Sequence, residues 1–339
     1  LWYPMTIANQ AYKYRQIINE YFEKTADDNA PTYAAISEFG FRGAQGQEGA
    51  VLASSAFLTS FAKTATIPAI LYLEDYYNGT LENASLGAGM ISTEHSVMCS
   101  NFAVDNDEAT FVKRLLSEIY PTENVSMVSD SYDYWNMIEN ILSREDIKTL
   151  IQTRNGALFV RGDSGNPVDI ICGTDNSSEL NRTSAMKGTV EALWDEFGGY
   201  INSKGYKVLN NTIRVIYGDS ITPERAELIY KGLMDKGFAA NNVALGAGSF
   251  FFFFVEENGQ IKTFTRDSYG IAIKATYVEV DGKPIEVFKN PVTDTGNFKK
   301  SQKGMCYVHY DENGDISVTD GYTRATLPNE GNLLQSVFK

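Results

Sequence analysis

TIRVIYGDSITPERAELIYKGL, residues 212–233, is the stretch whose reading decides the fold. A short apolar run, Thr212–Tyr217, stops abruptly at Gly218-Asp219-Ser220. A helix signal follows at once. Thr222 is an N-cap, Pro223 takes the first helical position, and Glu224 places an acid in the first turn. Ala226, Ile229, Tyr230 and Leu233 fall at i, i+3, i+4 and i+7, one apolar face, and Gly237 follows as a C-cap. The order is strand, polar strand end, amphipathic helix.

The same order recurs along the chain. Apolar runs at Tyr33–Phe39, Val125–Val128, Ala157–Val160 and Asn242–Leu245 end in FGFRG, SDSYD, RGDSGNP and GAGS. A second helix is expected over Met186–Phe197, ending at Gly198-Gly199. Strands separated by helices imply parallel pairing, because a parallel neighbour needs a long crossover. The runs between Ala157 and Leu245 are apolar on consecutive positions, as in strands buried on both faces. Doubly wound sheets and α/β barrels both bind ligands at strand C-termini. At least five such ends carry candidate ligand groups, which favours the barrel. The expected fold class is therefore α/β: an irregular barrel over residues 33–262, preceded by a leading helix region, 1–32. From about Thr263 the pattern changes to strands such as Ala275–Val280 and Cys306–Tyr310 with turns at Asp281-Gly282 and Asn313-Gly314, so 263–339 reads as a β-rich tail. The five-Phe run Phe250–Phe254 reads as a buried strand.

Composition narrows the function classes. The chain has 339 residues and a formal charge of −14, which disfavours non-specific nucleic-acid binding. Phosphates remain possible ligands wherever backbone N–H groups and a few basic residues converge. The three cysteines, Cys99, Cys172 and Cys306, lack metal-ligand spacing, and only His95 and His309 are histidines, so no metal site is expected. No apolar run is long enough to span a bilayer and no signal peptide is visible, so a cytoplasmic protein with reduced thiols is expected. The chain begins at Leu1 on a segment already dense in aromatic and apolar residues, which suggests a start inside a folded body, or upstream sequence that is cleaved or separately encoded.

Taken singly, the motifs are modest. RGDSGNP places Arg161 and Asp163 two apart just after a strand, which also suits a charged turn. Gly246-Ala247-Gly248-Ser249 offers N–H groups to a phosphate, or is an ordinary tight turn. His95 beside Glu94 suits acid–base or nucleophilic work, or a structural role.

Together, FGFRG (Phe39–Gly43), TEHS around His95, VSDSYD (Val128–Asp133), RGDSGNP (Arg161–Pro167), IYGDS (Ile216–Ser220), LGAGS (Leu245–Ser249), TRD (Thr265–Asp267) and VFKNPVTD (Val287–Asp294) occur in one order. That order and spacing resemble the nicotinamide phosphoribosyltransferases, with GDSIT and LGAGS nearest the bacterial branch, but without the family's N-terminal portion. The resemblance implies a type II phosphoribosyltransferase fold: a TIM-like irregular α/β barrel plus part of a smaller second α/β domain, to which the tail belongs. It implies transfer of phosphoribose from phosphoribosyl pyrophosphate to nicotinamide, in a homodimer with shared active sites. A separate N-terminal chain would be a further partner.

It also implies roles. Phe39 is the aromatic on which the pyridine stacks. Arg42 and Arg161 lie near the ring and the donor phosphates. Asp130 and Asp163 hold the ribose or its developing positive charge. Gly218, Asp219, Gly248 and Ser249 form the phosphate and ribose cradle. His95 is the phosphorylatable histidine that couples ATP hydrolysis to synthesis, with Glu94 orienting its ring. Arg266, Lys274, Lys289 and Lys299 reach pyrophosphate, often across the dimer, and Mg²⁺ accompanies the pyrophosphate.

The chain departs from that pattern in three places. Ala65 stands where the family carries an Asp that accepts a hydrogen bond from the nicotinamide amide, after Ala62-Lys63 in place of Lys-Gly. Gly162 replaces a Pro and would loosen a turn. Phe250–Lys262 is longer than usual and reads as an inserted hairpin. The departures open other readings: nicotinate as the base, a bulkier donor such as a pyrophosphorylated ADP-ribose, or a catalytically weak nucleotide-binding homologue.

Overall fold

The structure, a computed structural model, describes residues 2–79, 87–175, 181–252, 254–257, 260–263, 268 and 272–335. Helix α1 (Trp2–Thr25) precedes β1 (Ile36–Glu38), α2 (Gln47–Phe57), β2 (Lys63–Thr64) and α3 (Ile67–Tyr77). Then come β3 (Ile91–Ser92), α4 (His95–Asp105), α5 (Glu108–Arg114), β4 (Val125–Val128) and the short α6 (Tyr134–Asn136). Next are α7 (Glu145–Thr153), β5 (Leu158–Gly162), α8 (Pro167–Cys172), α9 (Ser184–Lys187) and α10 (Thr189–Phe197). A small hairpin, β6 (Gly199–Ile201) with β7 (Lys207–Leu209), leads to β8 (Ile213–Tyr217), α11 (Pro223–Asp235), β9 (Val243–Ala247) and α12 (Ser249–Phe252). Three antiparallel hairpins follow: β10 (Phe254–Glu257) with β11 (Gln260–Thr263), β12 (Tyr277–Val280) with β13 (Lys283–Glu286), and β14 (Met305–Tyr310) with β15 (Ile316–Tyr322).

Seven strands form one parallel sheet in the order β2-β1-β9-β8-β5-β4-β3. Its two edges meet through one short stretch. Ala88 bridges to Lys63 of β2, while Ile91 pairs with Val125 of β4. The expected α/β barrel is thus present in irregular form. Its outer layer is apolar: Ile36, Val125, Leu158, Ile213 and Leu245 are fully buried under the helices, each contributing about 1.5–3 kcal/mol. Helix α1 packs against α2 and α11, with the Tyr14 ring tilted 4.5 Å from Phe251 and its hydroxyl donating to Ile221 O at 3.1 Å.

Local chemistry explains the elements that position the site. Thr222 Oγ1 accepts from Arg225 N at 3.3 Å and caps α11 as its sequence predicts. Asp133 caps α6 in the same manner, accepting from Trp135 N and Asn136 N.

Three expectations change. The helix expected over 186–197 is broken at Gly188 (φ 83°), because its backbone lies against Gly173, and a Cβ there would sit 2.2 Å from Gly173 N. The phenylalanine run is not a strand: Ser249–Phe252 forms a helical turn that buries Phe251 and Phe252, and only Phe254 begins β10. Gly162 is not in a turn. It ends β5, paired with Tyr217, and a Cβ there would meet the Tyr217 ring at 3.3 Å. The hairpin expected within 250–262 is present as β10–β11, with residues 258 and 259 outside the described residues.

Candidate active site

The C-terminal ends of the barrel strands converge on a cavity of about 370 Å³, within the range of small-ligand sites. Its walls include Phe39, Arg42, Lys63, Ala65, Glu94, Ser126, Arg161 and Ile216. Phe39 follows β1, and its N–H donates to Ala247 O at 3.0 Å. Glycine is required at two neighbouring strand ends: a Cβ on Gly218 or Gly246 would lie 2.6 or 2.1 Å from Phe39 Cζ. Those glycines leave room for the ring against the backbone of β8's end and of β9. The Arg161 guanidinium stands 5.6 Å from the ring centroid, a cation–π distance. Arg42 is exposed at the cavity rim.

Arg161 links this cavity to a carboxylate cluster. Its Nη2 donates to Asp163 Oδ2 at 2.7 Å, and Nη1 lies 3.8 Å from Glu94 Oε1. Asp163 N donates to Asp130 Oδ2 at 3.1 Å. Ser164 Oγ donates to the same oxygen. Lys299 Nζ donates to Asp163 O and, at 2.6 Å, to Asp219 Oδ2. Gly248 lies beside Phe39, and Ser249 opens α12 against Gly43.

Asp130 is the buried centre of the cluster. Burial opposes its charge, but the His95 hydrogen bond and the nearby Lys289 outweigh burial and hold its carboxyl below the usual range. His95 Nε2 lies 3.0 Å from Asp130 Oδ1 and 2.7 Å from Lys289 Nζ. Burial lowers the Lys289 ammonium from its ordinary value, against the pull of Asp130 and Asp163.

The structure brings His95, Asp130, Asp163, Asp219, Arg161, Phe39, Lys289 and Lys299 together and revises two placements. Glu94 faces Arg161; the carboxylate that holds the His95 ring is Asp130. Lys289 and Lys299 were expected to reach across a dimer, but both lie in the site of their own chain. The reason is backbone pairing: Asn290 N donates to Ser131 O (3.0 Å) and Val292 N to Tyr132 O (2.7 Å), which ties VFKNPVTD to SDSYD. Asp294 then accepts from Lys299 N at 2.6 Å and turns that lysine inward. Lys274 is exposed, with its charge acting on Lys289. Arg266 lies outside the described residues.

Sequence reasoning missed Glu38 as a pocket residue. It is buried, accepting from Gly40 N at 2.6 Å and from Thr64 Oγ1. Burial raises its carboxyl despite those bonds. Its only signal was an acid ending an apolar strand.

The profile of the nicotinate phosphoribosyltransferase (NAPRTase) family matches residues 34–328. The chain belongs to this family. It is 39% identical over 318 residues to the nicotinamide phosphoribosyltransferase of Acinetobacter baylyi, covering 93% of this chain and 60% of that protein. It is 31% identical over 294 residues to the nicotinamide phosphoribosyltransferase of Mycoplasma pneumoniae, covering 87% and 58%. The chain thus spans about three fifths of the length of these relatives. Among solved structures, the nicotinate phosphoribosyltransferase from Porphyromonas gingivalis superposes with a TM-score of 0.52 at 13% identity, over 88% of this chain and 60% of that one. At that identity the likeness is one of fold, and the fold is that of the phosphoribosyltransferase barrel described above.

Proposed function

We propose that this family member transfers a phosphoribosyl group from phosphoribosyl pyrophosphate to nicotinamide, giving nicotinamide mononucleotide and pyrophosphate. One observation carries the reading: a cavity walled by Phe39 and Arg161 is joined, through Arg161, to the carboxylates Asp163, Asp130 and Asp219. The names of the curated relatives support the same choice of base.

In this account the pyridine stacks on Phe39, and its ring nitrogen forms the new bond to the anomeric carbon. The carbon–oxygen bond to pyrophosphate breaks, and the bonding pair leaves with pyrophosphate. Positive charge develops on the ribose, and the fixed carboxylates of Asp163 and Asp219 stabilise it. Lys299, bridging Asp163 and Asp219, is placed to neutralise the departing anion. Among the described residues no group of three or more acidic, His or Cys side chains could hold a metal. Mg²⁺ enters this account as part of the pyrophosphate substrate. A ring nitrogen of His95 takes the γ-phosphoryl group of ATP as the bond to the bridging oxygen breaks and ADP leaves with the bonding pair; water later removes the group as inorganic phosphate, which couples ATP hydrolysis to synthesis.

A homodimer fits the apolar side chains that α1 and α3 expose, Trp2, Met5, Ile67, Leu71 and Tyr76. Sedimentation that found only an active monomer would contradict it. No helix among the described residues is long and apolar enough to cross a membrane, and a cytoplasmic location accords with the chemistry. The test of the reading is product analysis: the protein converts nicotinamide and the donor to nicotinamide mononucleotide, and an Arg161→Ala variant loses most of that activity.

A further inference from the structure

Thr293 carries a hydroxyl that the reaction above does not use. It lies in the tail, one residue past Val292, whose N–H donates to Tyr132 O at 2.7 Å. Asn290 N donates to Ser131 O at 3.0 Å, and the Tyr132 hydroxyl donates to Phe288 O at 3.1 Å. These bonds lay the tail along the loop that follows β4. The turn after β5 meets the tail from the other side. Gly165 there has a φ of 88°, and a Cβ on it would stand 3.3 Å from Thr293 O. The Tyr217 hydroxyl holds the same turn by donating to Gly165 O at 3.0 Å. Ser164 stands between the segments, 1% exposed. Its Oγ is within hydrogen-bond distance of both Asp130 Oδ2 and Thr293 Oγ1.

Proton counting sets the direction of these bonds. The Asp130 carboxylate, kept charged by His95 and Lys289, only accepts. Ser164 has one hydroxyl proton and gives it to Asp130. Toward Thr293 it can then only accept, so Thr293 donates. The chain from Thr293 through Ser164 to Asp130 runs one way, and each donation polarises the next. Asp163 N adds a second donor to Oδ2 at 3.1 Å. Oδ2 is thereby occupied, and Oδ1 is left to His95 Nε2 at 3.0 Å.

We infer that Thr293 is a positioning residue: acting through Ser164, it fixes the Asp130 carboxylate with Oδ1 toward His95, so that docking of the tail completes the acid at the centre of the site. Lys289 and Lys299 bring charge into the site directly. Thr293 acts one side chain removed. The inference rests on the reading of Asp130 and His95 as groups of the transferase site.

The test compares the protein at its natural full length with Thr293→Val, Thr293→Ser and Ser164→Ala. Valine keeps the shape of threonine and removes the donor. Three quantities are read: the NMR titration of the His95 ring, hydrogen exchange at the Asn290 and Val292 amides, and steady-state kinetics with nicotinamide, phosphoribosyl pyrophosphate and Mg²⁺. The His95 signals are those lost in His95→Gln. Without the donation from Thr293, more of the carboxylate charge stays on Oδ1 and holds the imidazolium more firmly. Lys289 faces the same ring and Arg161 acts on Asp130 in every one of these proteins.

The expected result is that Thr293→Val and Ser164→Ala move the His95 midpoint upward by roughly half a pH unit or more, while both amides stay protected. The kcat falls about tenfold, the scale of a lost bond to a charged group, and both KM values stay within about threefold. Thr293→Ser restores the midpoint and the rate. Ser164→Ala decides the matter if Thr293→Val does not fold. An unmoved midpoint with full kcat overturns the inference. So does a raised donor KM with unprotected amides and unchanged kcat, since Thr293 would then only fasten the tail. A shifted midpoint in proteins that make no nucleotide, the wild type included, overturns the transferase reading and leaves the relay standing.

Discussion

Lys289 Nζ lies 2.7 Å from His95 Nε2, although 194 positions separate the two residues. The same nitrogen is 3.0 Å from Asp130 Oδ1. A single ring nitrogen donates or accepts but does not do both, so Asp130 and Lys289 compete for it. If Asp130 wins, Nε2 carries the proton and Nδ1 keeps a free lone pair; if Lys289 wins, Nε2 accepts and the proton sits on Nδ1. The candidate phosphoryl acceptor is therefore controlled by a lysine from the tail and an acid from the barrel.

His95→Ala should abolish ATP hydrolysis coupled to synthesis. Some uncoupled transfer should survive, because Asp130, Asp163 and Lys299 remain. Parallel assays of ATPase and nucleotide formation check this, and an unchanged ATPase would make His95 a structural residue.

Asp130→Asn should destabilise the fold at pH 7 by about 2–3 kcal/mol, since it removes a buried carboxylate that is hydrogen-bonded to His95, Asp163 N and Ser164. The sign with pH follows from the lowered carboxyl. A depressed carboxyl lends stability that is fully present above the unfolded value, about pH 4, and is lost as pH falls through the folded value below it. The variant should therefore lose less stability than the wild type on going from pH 5 to more acidic solution. Urea unfolding across that range measures both.

Glu108, in the first turn of α5, behaves in the opposite sense. Burial, with help from Asp133 and Asp107, raises its carboxyl to about 7. Between the unfolded value and pH 7 the folded state binds the extra proton, so this group costs stability as pH rises through that window. Glu108→Gln should raise stability by about 1–3 kcal/mol at pH 8 and by little at pH 4. Thermal unfolding at the two pH values would show a pH-independent gain if the account were wrong.

Ala65→Asp should raise the preference for nicotinamide over nicotinate by roughly tenfold or more in kcat/KM, from about 1.4 kcal/mol per decade. A carboxylate there accepts from the amide and repels the acid. If another acceptor already selects the amide, the wild type will be strongly nicotinamide-selective and the substitution will gain nothing. Competition kinetics with both bases distinguishes the outcomes.

The barrel was legible because its signals are local. Consecutive apolar residues ending in Asp or Gly marked β4, β5, β8 and β9, and Thr222-Pro223 marked the start of α11. What escaped depends on distant contact. Gly188 breaks a helix only because Gly173 lies against it. The phenylalanine run curls into a helical turn because Phe251 must meet Tyr14, on a helix that enters far earlier in the chain. Lys289 and Lys299 fall in their own chain's site through backbone bonds to Ser131 and Tyr132 that no local pattern records. Lys63 and Ser126 sit within ordinary strand sequence, and only the shared cavity reveals them.

The most direct test of the central claim is a product assay. The protein, together with any separately encoded N-terminal chain, is incubated with isotope-labelled nicotinamide, phosphoribosyl pyrophosphate and Mg²⁺, and the products are identified by mass. The account predicts labelled nicotinamide mononucleotide with an equal amount of pyrophosphate, and at least a hundredfold slower formation in Asp163→Ala, the scale of a lost charge-stabilising group. No nucleotide from either nicotinamide or nicotinate, or an unchanged rate in Asp163→Ala, would contradict it.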